Sequence, residues 1–363
     1  MIMKYIESPN DAVLQEDLEQ IAQGFTDEPS LDKATFLITG ATGLVGSVVV
    51  KALCCINRHR GNDMRILAHV RSRQKAQLVF GDLLEHGAIT LVQGDVTQPI
   101  DLDEKVDFLI HTASVTASRT FVNQPVETLM TAIDGTRNLL EFAKKKQVKS
   151  IVYISSMEAF GITDPQLERV SEKDLGYIDI LSVRSSYSEG KRICECLCSA
   201  YANEYNVPVK IARLAQTFGA GVSPDDNRVF AQFTKSCMAG TDIILHTEGK
   251  SMGNYCYTGD VVKGILTILL RGSNAEAYTV VNESTTMQIR DVAQLVSDTL
   301  TGGKTKIIFD IPESALTYGY APDVTMRLSA QKLRSLGWEP KVDLPEMFRR
   351  LEQSFHNQKE TAR

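Results

Sequence analysis

The sequence lacks an excess of basic residues, since 39 lysines and arginines stand against 45 acidic residues and give a net charge of −6. Binding to a nucleic-acid backbone depends on many lysines and arginines that neutralise phosphates, so we expect no nucleic-acid partner. The chain also lacks a long apolar run: the stretch VVKGILTILL from Val261 is too short to span a bilayer and contains Lys263. No apolar segment typical of a signal peptide occurs near the N-terminus. We expect a cytoplasmic protein with no membrane partner.

Cysteines are present, but a metal-binding pattern is lacking. The densest group is CECLC, which comprises Cys194, Cys196 and Cys198 and has no histidine nearby. Cys194 and Cys198 would share one helix face, whereas Cys196 would point elsewhere. The pattern favours packed free thiols, and we expect no metal.

From Ala34 onward, short β-branched apolar runs alternate with longer amphipathic segments. This alternation is typical of a parallel sheet flanked by helices, whose strands are buried on both faces. We predict an α/β fold, a Rossmann-type doubly wound parallel sheet over residues 34–219, followed by a smaller α/β C-terminal substrate lobe over residues 220–363. One strand or helix of that lobe could return to the main sheet. Residues 1–33 are predicted to form an N-terminal helical extension.

A glycine-rich turn follows the first predicted strand, in the segment TFLITGATGLVG. Glycines permit a tight turn and a close approach of the backbone to a pyrophosphate, and the following helix offers free N–H groups. The position at the first strand-to-helix junction favours dinucleotide binding over an ordinary turn. The predicted cofactor contacts here are Gly40, Thr42, Gly43, Leu44, Val45 and Gly46.

The end of the second strand should distinguish NAD from NADP. An acidic residue there would bind the ribose 2′-hydroxyl, whereas arginine would accommodate a 2′-phosphate. The sequence has Arg71 and Arg73 and no carboxylate. Solvated surface arginines are the alternative, but the pattern favours NADP, with NAD still possible. Asp95 and Val96 after the third strand, and Thr112, Ala113 and Ser114 after the fourth, are further predicted cofactor contacts.

A candidate redox centre is formed by Tyr187 and Lys191, which lie four residues apart on one predicted helix face. A nearby ammonium favours phenolate, so we expect Lys191 to lower the pKa of Tyr187 and make the phenol a general base. Ser156 ends a predicted strand, where ligands bind in open α/β sheets. Tyr187 and Lys191 are also predicted to contact the cofactor.

The motifs TGATGLVG, ISSMEAFG and YSEGK resemble the extended short-chain dehydrogenase/reductase family, which includes nucleotide-sugar epimerases, dehydratases and decarboxylases. The resemblance covers nearly all of the chain from Ala34 and is greatest to members like UDP-glucuronate decarboxylase. It implies transient oxidation of a sugar hydroxyl by Tyr187 and Ser156, followed by elimination, decarboxylation or rotation. In that scheme Glu158 is the acid or base of the second step, although a solvated or capping carboxylate is the alternative.

Departures from the family pattern concern the substrate. Met157 replaces the aspartic acid of 4,6-dehydratases, and a thioether cannot protonate a leaving hydroxyl. Gly253 replaces an arginine that commonly binds the substrate diphosphate. The resemblance implies a nucleotide sugar as substrate, and the predicted substrate-binding residues are Gln216, Arg228, Lys250 and Tyr255.

Two other functions remain open. The ending VRSR of the second strand resembles NADPH-dependent carbonyl reductases, which would consume the cofactor. A non-catalytic nucleotide sensor is the less favoured alternative, because Ser156, Tyr187 and Lys191 are all present. The resemblance also implies a homodimer built on the helix that carries Tyr187 and the helix before it.

Overall fold

The computed structural model describes residues 5–25, 28–61, 63–311 and 324–361. Its strands are β1 (Thr35–Thr39), β2 (Arg65–Val70), β3 (Thr90–Gln93), β4 (Phe108–His111), β5 (Ser150–Ser156), β6 (Val209–Leu214), β7 (Gln216–Phe218), β8 (Ile243–Leu245), β9 (Met252–Tyr257), β10 (Ala277–Val280), β11 (Asn282–Gln288) and β12 (Ile307–Phe309). Its helices are α1 (Ala12–Gln23), α2 (Leu44–Arg60), α3 (Arg73–Glu85), α4 (Ser118–Asn123), α5 (Pro125–Lys146), α6 (Ser186–Tyr205), α7 (Val229–Ala239), α8 (Thr258–Arg271), α9 (Ile289–Thr301), α10 (Gln331–Arg334) and α11 (Leu344–Thr361).

The main sheet has seven parallel strands in the order β10-β6-β5-β4-β1-β2-β3. The strand order reverses between β1 and β4, where Thr39 is opposite His111. In such sheets ligands bind in the crevice outside the carboxyl ends of the strands at this reversal. The predicted doubly wound sheet is confirmed, and its topology places the ligand crevice beyond Thr39 and His111. β10 lies in sequence between the lobe's strands β9 and β11 and returns to the main sheet.

Both faces of the sheet are covered, and the alternation of side chains along each strand divides them. In β1, Phe36 and Ile38 pack into the layer with α2 and α8, whereas Leu37 packs into the layer with α5 and α6. This two-sided burial explains why the strands are apolar throughout.

A smaller lobe surrounds its own core beside the crevice. It contains a three-stranded sheet, β11-β9-β7, a two-stranded sheet, β12-β8, and the helices α7, α9 and α11. Phe218 stacks on Phe230, and Phe348 also packs against the ring of Phe218. Because β7 follows β6 almost directly, the smaller lobe begins next to the carboxyl end of the main sheet.

Helix α1 is part of the folded body and packs on α2, α8 and α11. Its apolar face is buried, with Leu18 and Ile21 both fully enclosed. The buried Asp17 carboxylate accepts hydrogen bonds from the hydroxyl of Tyr257 and from Nη2 of Arg350 at 2.8 Å. These contacts join the N-terminal segment to both β9 and α11.

Within the part of the chain that the structure describes, no helix is both long and apolar enough to cross a membrane. The cysteine group lies on α6, where Cys194 and Cys198 are buried and Cys196 is exposed. The two buried thiols therefore pack against the sheet, as their helical spacing indicated.

We predict that Asp17→Ala lowers the free energy of unfolding by about 3–5 kcal/mol, because Arg350 and Tyr257 would lose a buried acceptor. Urea denaturation of the purified protein measures this difference. Glu16→Ala is the matched control, since Glu16 also contacts Arg350 but is exposed, and we expect a change of roughly 0–1 kcal/mol. Equal effects of the two substitutions would contradict the role assigned to Asp17.

Candidate active site

The glycine turn brings β1, α2 and the end of β4 into close contact. Gly40 has φ of +64°, and a Cβ there would lie 2.6 Å from Cα of Ala113. A Cβ on Gly46 would lie 2.4 Å from the carbonyl oxygen of Gly40. Thr112 ties β4 to the turn by donating its hydroxyl to the carbonyl of Thr39 at 2.7 Å. The turn is therefore a narrow cradle that larger residues would fill, as pyrophosphate binding requires.

The first turn of α2 has the free N–H groups expected at a phosphate site. Gly43 precedes the helix in an extended conformation and provides no side-chain cap. Thr42, Leu44 and Val45 are half-buried around it. The N–H groups and the positive end of the helix dipole are consequently available to an anion.

The residues after β2 and β3 lie together at the next position along the crevice. Arg71 is exposed directly after β2. Asp95 accepts hydrogen bonds from the backbone and hydroxyl of Thr97, which lower the pKa of its carboxyl, and the charge of Arg71 acts in the same direction. Val96 is buried against Gly135 of α5. The structure thus brings Arg71 near enough to Asp95 for its charge to act on the carboxyl.

His111 ends β4 beneath the crevice. Its Nδ1 is 2.7 Å from the hydroxyl of Thr39, and burial lowers its pKa to about 3. The imidazole is therefore neutral and packs within the sheet. After it, Ala113 lies against Gly40, and Ser114 donates to the carbonyl of Val115 at 3.2 Å.

Ser156, Tyr187 and Lys191 come together where β5 ends against the first turns of α6. The ring of Tyr187 stacks on Phe121 of α4 with centroids 4.3 Å apart, and the hydroxyl of Ser156 hydrogen-bonds to the phenol. Nζ of Lys191 donates to the carbonyl of Ile154 at 2.8 Å. This is the arrangement of hydroxyl, phenol and amine that proton abstraction from an alcohol needs.

The expected effect of Lys191 on Tyr187 is not found in the protein alone. Burial raises the pKa of the Tyr187 phenol above its usual value, and the charge of Glu158 adds to the increase. The Ser156 hydrogen bond and the charges of Arg184 and Arg228 oppose it. Lys191 is itself buried, which lowers its pKa to about 8, and its ammonium is directed to the Ile154 carbonyl. Desolvation, which the sequence does not reveal, therefore determines the direction of the Tyr187 pKa shift, and the charge of Lys191 does not.

Glu158 lies in the short 3-10 turn after β5 and is held by a partner that the sequence reasoning missed. Nη1 and Nη2 of Arg184 donate to its two carboxylate oxygens at 2.9 and 3.0 Å. Ser188 donates to the same carboxylate at 3.0 Å. Arg184 precedes Tyr187 by three positions, so its proximity to the site could have been inferred, but its pairing with Glu158 could not.

A second missed group lies behind the site. Glu195 of α6 is held by Arg213 of β6, with Nη2 2.7 Å from the carboxylate, and accepts from the hydroxyl of Ser155. Arg192 donates to the carbonyls of Ala159, Phe160 and Gly176. The helix spacing that relates Lys191 to Glu195 was a usable signal.

The predicted substrate residues are not all at the site. Gln216 is exposed at the start of β7, and Arg228 directly precedes α7 and is paired with Asp226 at 2.6 Å. Lys250 is exposed and paired with Glu248. Tyr255 is 1% exposed and lies in the core of the smaller lobe, against Phe218.

A cavity of about 350 Å³ opens in the smaller lobe between α7 and β8. Gln232, one turn after Arg228, lines its wall. The remaining lining residues are Phe233, Ser236, Thr241, Asp242, Ile244 and His246. The cavity therefore lies beside the first turns of α7, the helix that Arg228 precedes.

Comparison with known sequences identifies relatives over most of the chain. The profile of the NAD dependent epimerase/dehydratase family matches residues 36–282. UDP-glucuronic acid decarboxylase 5 of Arabidopsis thaliana is 28% identical over 322 residues, which is 88% of either chain. UDP-glucuronic acid decarboxylase 1 of Xenopus tropicalis is 27% identical over 343 residues, which is 92% of this chain and 77% of that protein.

Solved structures show the same fold. UDP-glucose 4-epimerase of Thermotoga maritima, with UDP-glucose, matches with a TM-score of 0.74 and 21% identity over 91% of this chain and all of that chain. UDP-glucuronic acid 4-epimerase of Bacillus cereus, in complex with UDP-glucuronic acid and NAD, matches with a TM-score of 0.72 and 18% identity over 89% of this chain and 99% of the other.

Proposed function

We propose that this chain, which belongs to the NAD dependent epimerase/dehydratase family, modifies a nucleotide-activated sugar acid by transient oxidation of a sugar hydroxyl. Membership makes the chain an enzyme by class and confirms the family expected from the motifs. Relatives named UDP-glucuronic acid decarboxylase make UDP-glucuronate the first candidate substrate and decarboxylation the first candidate reaction, with epimerisation second. The position of Glu158 beside Ser156 and Tyr187 carries the proposal.

Each residue of the redox centre has a separate role in the first step, which is the oxidation of the sugar hydroxyl. A nicotinamide dinucleotide, for which the glycine cradle has the required space, would accept and later return the hydride. Tyr187 takes the hydroxyl proton, assisted by the Ser156 hydrogen bond and by the positive charges of Arg184 and Arg228, which favour phenolate against the effect of burial. Lys191, buried beside them, is placed to orient the nicotinamide ribose.

The second step uses a single carboxylate. Oxidation beside the acid-bearing carbon gives a ketone that accepts the electron pair released when the bond to the carboxylate breaks and CO2 departs. Glu158 is placed to exchange the proton that the ring carbon then gains. Met157 is half-buried against the main core, and its thioether cannot act as the acid that 4,6-dehydration needs. Decarboxylation or epimerisation is therefore favoured over dehydration.

We assign the nucleotide part of the substrate to the smaller lobe. Arg228 at the start of α7 offers a cation near Tyr187, and the cavity beyond Gln232 has space for a base and a ribose. A diphosphate bound near Arg228 would place the attached sugar toward Ser156.

We predict that the protein with bound cofactor releases CO2 from UDP-glucuronate without net reduction of the cofactor. Glu158→Gln should bind the cofactor as tightly as the wild type and still oxidise the sugar, because the amide leaves Ser156 and Tyr187 in place. It should fail when the ring carbon must gain a proton after CO2 has left, so that reduced cofactor accumulates at 340 nm while steady-state release of CO2 falls by about 100-fold or more, because the cofactor is not reoxidised for the next turnover. Single-turnover absorbance and labelled CO2 measure the two steps.

Two outcomes would contradict this assignment. Loss of cofactor affinity in Glu158→Gln would show that Glu158 has a structural role. Stoichiometric oxidation of NADPH by carbonyl substrates, with no effect of nucleotide sugars, would favour the carbonyl reductase. Tyr187→Phe is the reference for complete loss of the first step.

We propose further that NADP is preferred to NAD. The support is the exposed Arg71 directly after β2 and the lack of a carboxylate among residues 71–75. A ribose 2′-phosphate carries charge that a guanidinium can bind through paired hydrogen bonds.

Arg71→Ala is expected to weaken NADP binding by about 10- to 100-fold, since charge-assisted hydrogen bonds contribute about 1.5–3 kcal/mol. NAD binding should change by less than about threefold. Fluorescence titration with both reduced cofactors measures the two affinities. Arg65→Ala is the control, because Arg65 is an exposed arginine at the opposite end of the same strand. Equal weakening of both cofactors would exclude Arg71 as the 2′-phosphate ligand.

We also propose a homodimer formed through α5 and α6, which pack on each other. Three apolar side chains on this helix pair are open to solvent, with exposed fractions of 66% for Val126, 42% for Met130 and 45% for Ile193. Exposed apolar groups on neighbouring helices are typical of a surface covered by a partner.

Met130→Glu should convert the proposed dimer to a monomer, because it would bury a charge at the interface. Sedimentation velocity measures the mass. Leu78→Glu is the control, since Leu78 is 86% exposed but lies on α3, and it should leave the mass unchanged. A wild-type protein that sediments as a monomer at micromolar concentration would refute the dimer.

A further inference from the structure

We infer that Arg184 selects a substrate that carries a carboxylate, by exchanging its bond with Glu158 for a bond with the carboxylate of the sugar. This inference rests on the proposed function and names the residue that determines the substrate class. Arg184 would then be a specificity residue, and Glu158 would be released toward the sugar only when an acidic sugar is bound.

The geometry of the pair supports an exchange. Both terminal nitrogens of Arg184 donate to the Glu158 carboxylate, at 2.9 and 3.0 Å, with side-chain exposures of 14% and 31%. A planar guanidinium binds any carboxylate in the same two-pronged manner. The carboxylate of the substrate and the carboxylate of Glu158 are thus equivalent ligands for one cation.

Electrostatics makes an exchange necessary. The charges of Glu158 and Arg184 both act on the phenol of Tyr187, so the pair lies where the sugar must bind. A sugar carboxylate bound there would meet the negative charge of Glu158 in a poorly hydrated site, and repulsion is strong in such surroundings. Arg184 reduces this repulsion because its guanidinium, once bound to the sugar carboxylate, neutralises that charge and still lies close to Glu158.

Neighbouring cations are engaged in other ways. Lys191 donates to the carbonyl of Ile154, and Arg192 donates to carbonyls of the turn after β5 and of residue 176. Arg228 is paired with Asp226 at the start of α7. Arg184 differs from these three cations because its partner is the carboxylate that the second step uses.

After the exchange, both partners keep a support. Glu158 retains the hydrogen bond from Ser188 at 3.0 Å. The guanidinium of Arg184 lies 4.9 Å from the ring centroid of Phe121, the ring on which Tyr187 also stacks. A cation over an aromatic ring remains attracted to it when an ion pair is lost, so Arg184 stays beside Tyr187.

The test compares two ligands that differ only at the sixth carbon of the sugar. UDP-glucuronate and UDP-glucose are titrated calorimetrically into protein loaded with the reduced cofactor, which cannot accept a hydride from the sugar, so that binding is measured without turnover. The wild type should prefer UDP-glucuronate by about 10-fold or more, and Arg184→Gln should weaken that ligand by about 10- to 100-fold while changing UDP-glucose by less than about threefold. Arg184→Lys keeps the positive charge but cannot donate two parallel hydrogen bonds to a carboxylate, so it should give an intermediate preference for UDP-glucuronate.

Cofactor binding and the melting temperature show whether each variant is folded, and Arg349→Gln controls for loss of one surface guanidinium on α11. If Arg184→Gln weakens the binding of both ligands equally, or leaves the preference unchanged, the inference is overturned. The proposed function would still stand in that case if the wild type decarboxylates UDP-glucuronate. A wild type that binds neither ligand, or that prefers UDP-glucose, would overturn both. If Arg184→Gln does not fold, Arg184→Lys decides, since a wild-type preference in that variant would also overturn the inference.

Discussion

The geometry of the site depends on the buried ion pair between Arg213 of β6 and Glu195 of α6. Nε of Arg213 donates to both carboxylate oxygens and Nη2 donates to one of them, while Ser155 of β5 donates to the same carboxylate. Both charged side chains are nearly enclosed. Removing one partner of such a pair costs about 3–5 kcal/mol, so the register of α6 against two neighbouring strands is firmly set. Lys191 lies one turn before Glu195 on the same helix, so its position against the sheet is set by the same ion pair.

From this constraint follows a site in which most charged groups are already paired. Arg192 holds the turn that carries Glu158, and Arg184 holds Glu158 itself. The pKa of the Tyr187 phenol is raised by burial and by the charge of Glu158. It is lowered by the Ser156 hydrogen bond and by the charges of Arg184 and Arg228. Any ligand that changes the ion pair between Arg184 and Glu158 will therefore change the pKa of the Tyr187 phenol. Substrate recognition and proton transfer share the same charges.

The fold and the glycine turn could be predicted from sequence because both arise from short-range patterns. Alternating apolar segments specify the sheet, and Gly40 and Gly46 mark a turn where a Cβ would collide with backbone. Tyr187 and Lys191 were found through helical spacing. The partner of Glu158 could not be found in this way, because an ion pair with Arg184 requires β5 and α6 to be placed in space. The direction of the pKa shift of Tyr187 likewise depends on burial against Phe121.

The buried position of Tyr255 shows how the smaller lobe departs from the pattern that the resemblance implies. Where the resemblance implies an arginine, this chain has Gly253, and a Cβ there would lie 2.3 Å from the hydroxyl of Tyr255. The two residues are therefore coupled: the buried tyrosine fills the space in which a side chain at position 253 would begin. A side chain at position 253 is excluded by this packing, because Tyr255 is part of the lobe's core. If the smaller lobe binds a diphosphate as we propose, the cation would have to come from another element, and Arg228, which precedes α7 and whose charge acts on Tyr187, is our candidate.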